Sequence, residues 1–278
     1  MKKINLLCVT DIHHGLSFET KKSDEALVLL DKFVSRANEA QPDCVVDLGD
    51  RINDVDKETD YALMEDVAQK FKQLENRREH LLGNHDVKFL TAKENETILD
   101  APTTSRSFNI GGWHLIFWSP NTQYSSQDGF PDDNDGILWL EDDLKRHPGP
   151  SILFCHVPQF SGQLRGNYWF EKNPWAARFP YADRILQVLS EHPGLQMTVG
   201  GHVHWPRLNT LHGIHHITLP SLIESFYTGG LPCQAWTEIT LGENIGLKIL
   251  GAQRWEWQLP LRPHSQKWPE VRASARET

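Results

Sequence analysis

The chain has 278 residues, of which 39% are hydrophobic and 23% charged, and its formal net charge is −9. That is the composition of a globular protein with enough chain for a sizeable core. The acidic balance, with no basic run of five or more residues, argues against a protein that tracks a long nucleic-acid backbone. No apolar stretch reaches the roughly 18 residues that a membrane span needs.

Residues 3–10 read as a buried strand. Residues 24–40 read as a helix, because Ala26, Leu29, Leu30, Phe33 and Ala37 recur at helical spacing, with Ser23 as its N-cap. Residues 43–48 read as a second buried strand, so the first two strands are expected to be parallel. A helix over 60–75 and a strand over 78–82 follow, and 88–99 is helical or irregular. The Gly111-Gly112 pair predicts a hairpin between 106–110 and 113–118. Further on, a helix fits 137–146, a strand 151–155, a helix 182–191 and a strand 195–199. Residues 206–220 and 235–252 alternate like antiparallel strands, with turns expected at Gly213, Gly242 and Gly246. Between them, 157–180 is an irregular insertion rich in Pro, Gly and Trp.

These elements predict one α/β domain over 1–259, with two stacked sheets and helices outside, and a loosely held tail over 260–278. Cys8, Cys44, Cys155 and Cys233 show no CxxC spacing. They read as small buried hydrophobes of a reducing compartment. The N-terminal apolar run, Ile4 to Val9, is too short for a signal peptide, so a cytoplasmic protein is expected. A homo-oligomer stays open.

Five strand ends carry residues able to bind metal. Asp11 and His13 follow the first strand, two residues apart and therefore on one side of an extended segment. Gly49-Asp50-Arg51-Ile52-Asn53 follows the second, and Asp50 falls beside Asp11 if the two strands are neighbours. Gly83-Asn84-His85-Asp86 follows the third, with a neutral carbonyl oxygen on Asn84. His85 is better placed to face a substrate than to share its neighbour's ion, with Asp86 expected to orient it. His156 ends a fourth strand, and Gly201-His202-Val203-His204 ends a fifth. Nine other histidines lack this placement, so the coincidence of five such ends points to a two-metal hydrolytic centre.

The order DxH, GDxxN, GNHD, H, GHxH resembles the calcineurin-like metallophosphoesterase superfamily over residues 11–204. The resemblance implies a four-layer α/β/β/α sandwich of two mixed sheets and a dinuclear centre of Mn, Fe or Zn. It assigns Asp11, His13, Asp50 and His204 to one ion. It assigns Asp50, Asn84, His156 and His202 to the other, with Asp50 bridging. His85 is implied as the group that stabilises or protonates the leaving oxygen, and Asn53 stands at the last position of the second motif. The implied reaction is phosphoester hydrolysis by a hydroxide shared between the two ions.

Within the superfamily, GDRIND and GNHD lack the paired arginines of the protein Ser/Thr phosphatases. The strings DxH, GNHD and GHxH, with a helix carrying Trp139-Leu140-Glu141, are most similar to class III cyclic-nucleotide and glycerophosphodiester phosphodiesterases. His156-Val157-Pro158-Gln159 departs from the HxPP of that branch. A small phosphodiester is therefore the expected substrate, with a phosphomonoester or a nucleotide pyrophosphate as the alternative and a non-catalytic scaffold behind both. Asn53 is expected to contact it, as are Arg165, Trp169 and Arg178 of the insertion, an aromatic by stacking and an arginine by binding phosphate.

Overall fold

The computed structural model describes residues 2–263. Two six-stranded mixed sheets lie face to face. The first has the order β12-β11-β10-β1-β2-β3, built from β1 (Ile4–Val9), β2 (Cys44–Asp47), β3 (Arg78–His80), β10 (Trp236–Leu241), β11 (Asn244–Leu250) and β12 (Trp255–Pro260). The second has the order β4-β5-β6-β7-β9-β8. Its strands are β4 (Arg106–Ile110), β5 (Trp113–Phe117), β6 (Ser151–Phe154), β7 (Leu195–Gly200), β8 (Arg207–Leu211) and β9 (Ile214–Thr218). β1, β2 and β3 are parallel, as are β5, β6, β7 and β9, while β10, β11 and β12 in the first sheet and β4 and β8 in the second pair antiparallel.

Period-two alternation divides the core. Leu6 and Cys8 point between the sheets, where they meet Trp113, Phe117, Phe154 and Met197. Leu7 and Val9 point the other way, onto α1 (Ala26–Ala40), α2 (Lys57–Phe71) and α3 (Ala92–Leu99). On the second sheet Ile116 and Leu153 likewise face α4 (Asn134–Arg146) and α5 (Ala182–Glu191). The result is the α/β/β/α sandwich expected from the sequence. Each fully buried large side chain, such as Phe33 or Phe71, contributes roughly 2 kcal/mol by leaving water.

Several boundaries differ from expectation. Helix α2 begins at Lys57 because Asp56 caps it, its carboxylate accepting from Thr59 N at 2.9 Å. Helix α4 begins at Asn134 because Asp133 does the same for Gly136 N. Ser23 is not a cap: it opens a 3-10 turn ahead of α1, and its hydroxyl accepts from Asn53 Nδ2. Gly246 makes no turn but lies inside β11, paired with Thr240 and Gln258. The chain does not loosen at residue 260. β12 continues through Pro260, Leu261 packs on the inter-sheet core, and Arg262 bonds to Gln196 Oε1 and to the carbonyls of His192 and Ser190. The remainder of the expected tail lies outside the described residues.

Candidate metal centre

All five motif segments leave the carboxyl ends of parallel strands, β1, β2, β3, β6 and β7, and so converge on one edge of the sandwich. Ligands gather there because the chain leaves each strand and turns away, opening a crevice. Asp11, His13, Asp50, His202 and His204 all adopt left-handed backbone, with φ between 46° and 65°. Asp and His enter that region more readily than bulkier residues, at a cost of about 1–3 kcal/mol each, so the surrounding fold holds them there. Glycine permits the close approach of the segments. A Cβ on Gly83 would lie 2.1 Å from Asp50 Oδ1, and one on Gly201 2.1 Å from Thr10 Oγ1.

The donor atoms fall into overlapping groups: Asp11, His13 and His204; His13, Asp50 and His85; and Asp50, His156 and His202. Within each group they lie within 4.8 Å of one another. His13 Nε2 and His204 Nε2 are 2.9 Å apart, and His204 Nε2 is 3.3 Å from Asp11 Oδ1. Asp50 stands between the groups, with Oδ2 at 3.2 Å from His156 Nε2 and 3.8 Å from His13 Nε2. Atoms bonded to one ion at about 2.0–2.2 Å have such spacings.

Hydrogen bonds behind the rings select which nitrogen is free. His156 Nδ1 donates to Leu48 O at 3.0 Å, His202 Nε2 to Ala176 O at 2.9 Å, and His204 Nδ1 to Glu224 Oε2 at 2.9 Å. That leaves Nε2 of His156 and His204, and Nδ1 of His202, as ligand atoms. His156 Nε2 and Asn84 Oδ1 are buried without a hydrogen-bond partner. Orphaned acceptors of this kind, in a site of imidazole, carboxylate and amide donors, fit a pair of hard or borderline ions.

The electrostatics agree with a cation site. Burial alone would favour neutral Asp50, but the His156 and His85 imidazoles outweigh it and hold the carboxyl well below its usual range. Asp11 is lowered in the same way, against burial, chiefly by His204. Burial works against charge on His156 too, yet Asp50 pushes it up to about 9. Burial together with His156 drives His202 down to about 4.

His85 does not pair with Asp86. Its Nδ1 bonds to Asp54 Oδ1, while its backbone N–H donates to Asp50 Oδ1 at 2.8 Å. Asp86 is fully buried behind the site. It accepts from the backbone N–H groups of Asp50, Arg51 and Gly83 and from Arg51 Nη1 at 2.8 Å. It therefore fixes the loops that carry Asp50 and Asn84, and touches no reacting group. Arg51 is buried with it, donating also to Asp47 Oδ2 and Leu81 O.

A cavity of about 350 Å³ opens over the cluster. Asp50, Asn84, His85, His202 and His204 form its floor, and Tyr124, Tyr168, Trp169, Phe170 and Phe226 form its walls. The insertion is tied down beside it, Asn167 Nδ2 donating to Val203 O at 2.8 Å. Of the expected substrate contacts only Trp169 lines this cavity. Arg165 is exposed, and Arg178 points outward to Asp183 at 3.4 Å. Asn53 is turned away, its amide donating to Leu16 O and Ser23 Oγ. Sequence reasoning missed Asp54 and Glu224. Asp54 could have been found as the acidic residue next to Asn53, whereas nothing in the local pattern marks Glu224.

The structural relatives share this architecture. A dimetal phosphatase from Danio rerio superposes with a TM-score of 0.77 at 14% identity, over 93% of this chain and 99% of that one. The purple acid phosphatase of yellow lupin gives 0.65 at 12% identity, over 99% of this chain and 57% of that one. GAP50, described as the anchor in the inner membrane complex of Plasmodium, gives 0.60 at 15%, over 94% and 90%. At these identities the likeness establishes the fold alone. No curated protein matches the sequence. The family model of the calcineurin-like phosphoesterases matches residues 4–206. The chain belongs to that family.

Proposed function

We propose that the protein is a dinuclear metal-dependent phosphodiesterase acting on small phosphodiesters. The observation that carries this reading is the junction of a complete donor set with an aromatic-walled cavity. A phosphomonoester needs only a cradle for its phosphoryl group. Here Tyr124, Tyr168, Trp169, Phe170 and Phe226 leave room for a second ester substituent and offer it apolar faces. Asp11, His13, Asp50 and His204 would hold one ion, and Asp50, Asn84, His156 and His202 the other. When bound, such a pair supplies Lewis acidity toward phosphoryl oxygens and a nucleophile near neutral pH. The donor types suit Mn, Fe or Zn.

The chain's own contribution is orientation and proton delivery. Asp54 holds His85 by Nδ1, so Nε2 is the nitrogen left to donate a proton to the departing oxygen. The backbone bond from His85 to Asp50 ties that ring to the metal cage, so donor and cage move together.

All four cysteines are free and buried, which supports a reducing compartment. Among the described residues no helix is long and apolar enough to cross a membrane. A non-catalytic anchor on this fold has no use for orphaned donors such as Asn84 Oδ1 and His156 Nε2. The test is metal analysis after Mn reconstitution, then hydrolysis of bis-p-nitrophenyl phosphate against p-nitrophenyl phosphate. About two ions per chain and preference for the diester are expected. Absence of metal, or preference for the monoester, overturns the reading.

A further inference from the structure

The turn that carries Lys21 is tightly held. Phe18 and Lys21 exchange backbone hydrogen bonds at 3.1 and 2.9 Å, and Lys22 N donates to Ile223 O. Thr20 O accepts from Ser225 Oγ, and Lys21 bridges to Glu224 across the strand-like pair. The side chain therefore enters the cavity from a fixed base, on the side of His13 and His204. The only hydrogen-bond partner of its ammonium among the described residues is His13 Nδ1, at 3.4 Å.

That partner is unavailable once His13 acts as a ligand. A neutral imidazole bound through Nε2 carries its proton on Nδ1, and two donors cannot face one another. The surrounding carboxylates are committed. Glu224 accepts from His204 Nδ1 and from the N–H groups of Ser225 and Phe226. Asp54 holds His85, and Asp11 accepts from Thr10 Oγ1 and the N–H of His202. No carboxylate among the described residues forms an ion pair with Lys21. Burial works against the charge on Lys21, and the Asp50, Glu224, Asp11 and Asp54 carboxylates favour it through space without bonding to it, so its N–H groups are left to meet an anion that arrives with the substrate.

We propose that Lys21 contacts the substrate directly, its ammonium binding a non-bridging oxygen of the phosphoryl group held at the metal centre. The assignment rests on the phosphoester reading of the same site. It makes Lys21 a binding residue alongside the cage, supplying a charge-assisted hydrogen bond where Arg165 and Arg178 supply none.

The probe is inorganic phosphate, titrated by calorimetry into the Mn-loaded full chain, wild type against Lys21→Met and Lys21→Arg. Loss of a charged hydrogen bond predicts about 10-fold weaker phosphate binding for K21M, with metal content unchanged and K21R retaining most of the affinity. With bis-p-nitrophenyl phosphate the K21M loss should fall mainly on KM. Phosphate binding by K21M equal to wild type overturns the proposal. Loss of metal from K21M and recovery of it in K21R also overturns it, since Lys21 would then support His13 alone. Should the wild type bind phosphate but not hydrolyse the diester, the phosphodiesterase reading fails while the Lys21 contact still stands or falls on the calorimetry.

Discussion

Glu224 Oε2 accepts a hydrogen bond from His204 Nδ1 at 2.9 Å, which fixes that ring with Nε2 toward Asp11 and His13. The carboxylate is itself buried, and its other oxygen is held by the N–H groups of Ser225 and Phe226. Replacing it by an isosteric amide keeps the volume but weakens both the orientation and the basicity of the imidazole. Glu224→Gln is expected to lower affinity for one of the two ions by about 10- to 100-fold, read by competition with a chelator. Unchanged affinity for both ions would show that His204 needs no such support.

His85 and Asp54 form the corresponding pair at the proposed proton donor. His85→Ala should retain both ions, because the residue lies outside the proposed cage, and lose about 100-fold or more in kcat through the missing proton donor. Asp54→Asn should lose less, and in kcat rather than KM. Loss of metal from H85A would instead make His85 a ligand.

The buried ion network behind the site predicts a stability effect separable from chemistry. Arg51 donates to Asp47 and Asp86, and all three are excluded from solvent. Arg51→Met leaves two buried carboxylates without their cation, and a loss of about 3–5 kcal/mol is expected by denaturant unfolding. A loss below about 1 kcal/mol would mean that backbone N–H groups alone suffice for these carboxylates.

Asp47 also sets a pH dependence. Burial favours its neutral form, but Arg51 and the bond from His80 Nδ1 prevail and place its pKa below 3.8. A carboxyl depressed on folding contributes stability that is present above its unfolded pKa and lost as pH falls through the folded one. The metal-free protein should therefore weaken as pH drops below about 4, and Asp47→Asn should reduce the slope of unfolding free energy against pH there. An identical slope in D47N would assign the acid sensitivity to other groups.

Legibility in the sequence followed locality. The motif residues stand directly after apolar runs, so strand ends and ligands are read from the same few positions. Helix starts were less legible where a single acidic cap, Asp56 or Asp133, extends the element ahead of its apolar stripe. Gly246 misled because a glycine inside a paired strand and a glycine in a turn look alike from one chain. In the insertion, composition marked Trp169 and the two arginines equally. Their directions depend on how the loop docks through Asn167 and Ala176 onto the His202–His204 segment.

The sequence by itself determined the reaction class, because the ligand types, their order and their glycine spacing lie in short contiguous strings. Tertiary structure alone decided which nitrogen each histidine presents, that Asp54 rather than Asp86 holds His85, and that Glu224 and Lys21 belong to the site. The bonds that orient the rings reach from 20 residues away, for His204 and Glu224, to 108, for His156 and Leu48, and join single polar groups with no local pattern. Their partners are set by which loops the two sheets bring to one edge, and that geometry exists only once the sandwich has closed.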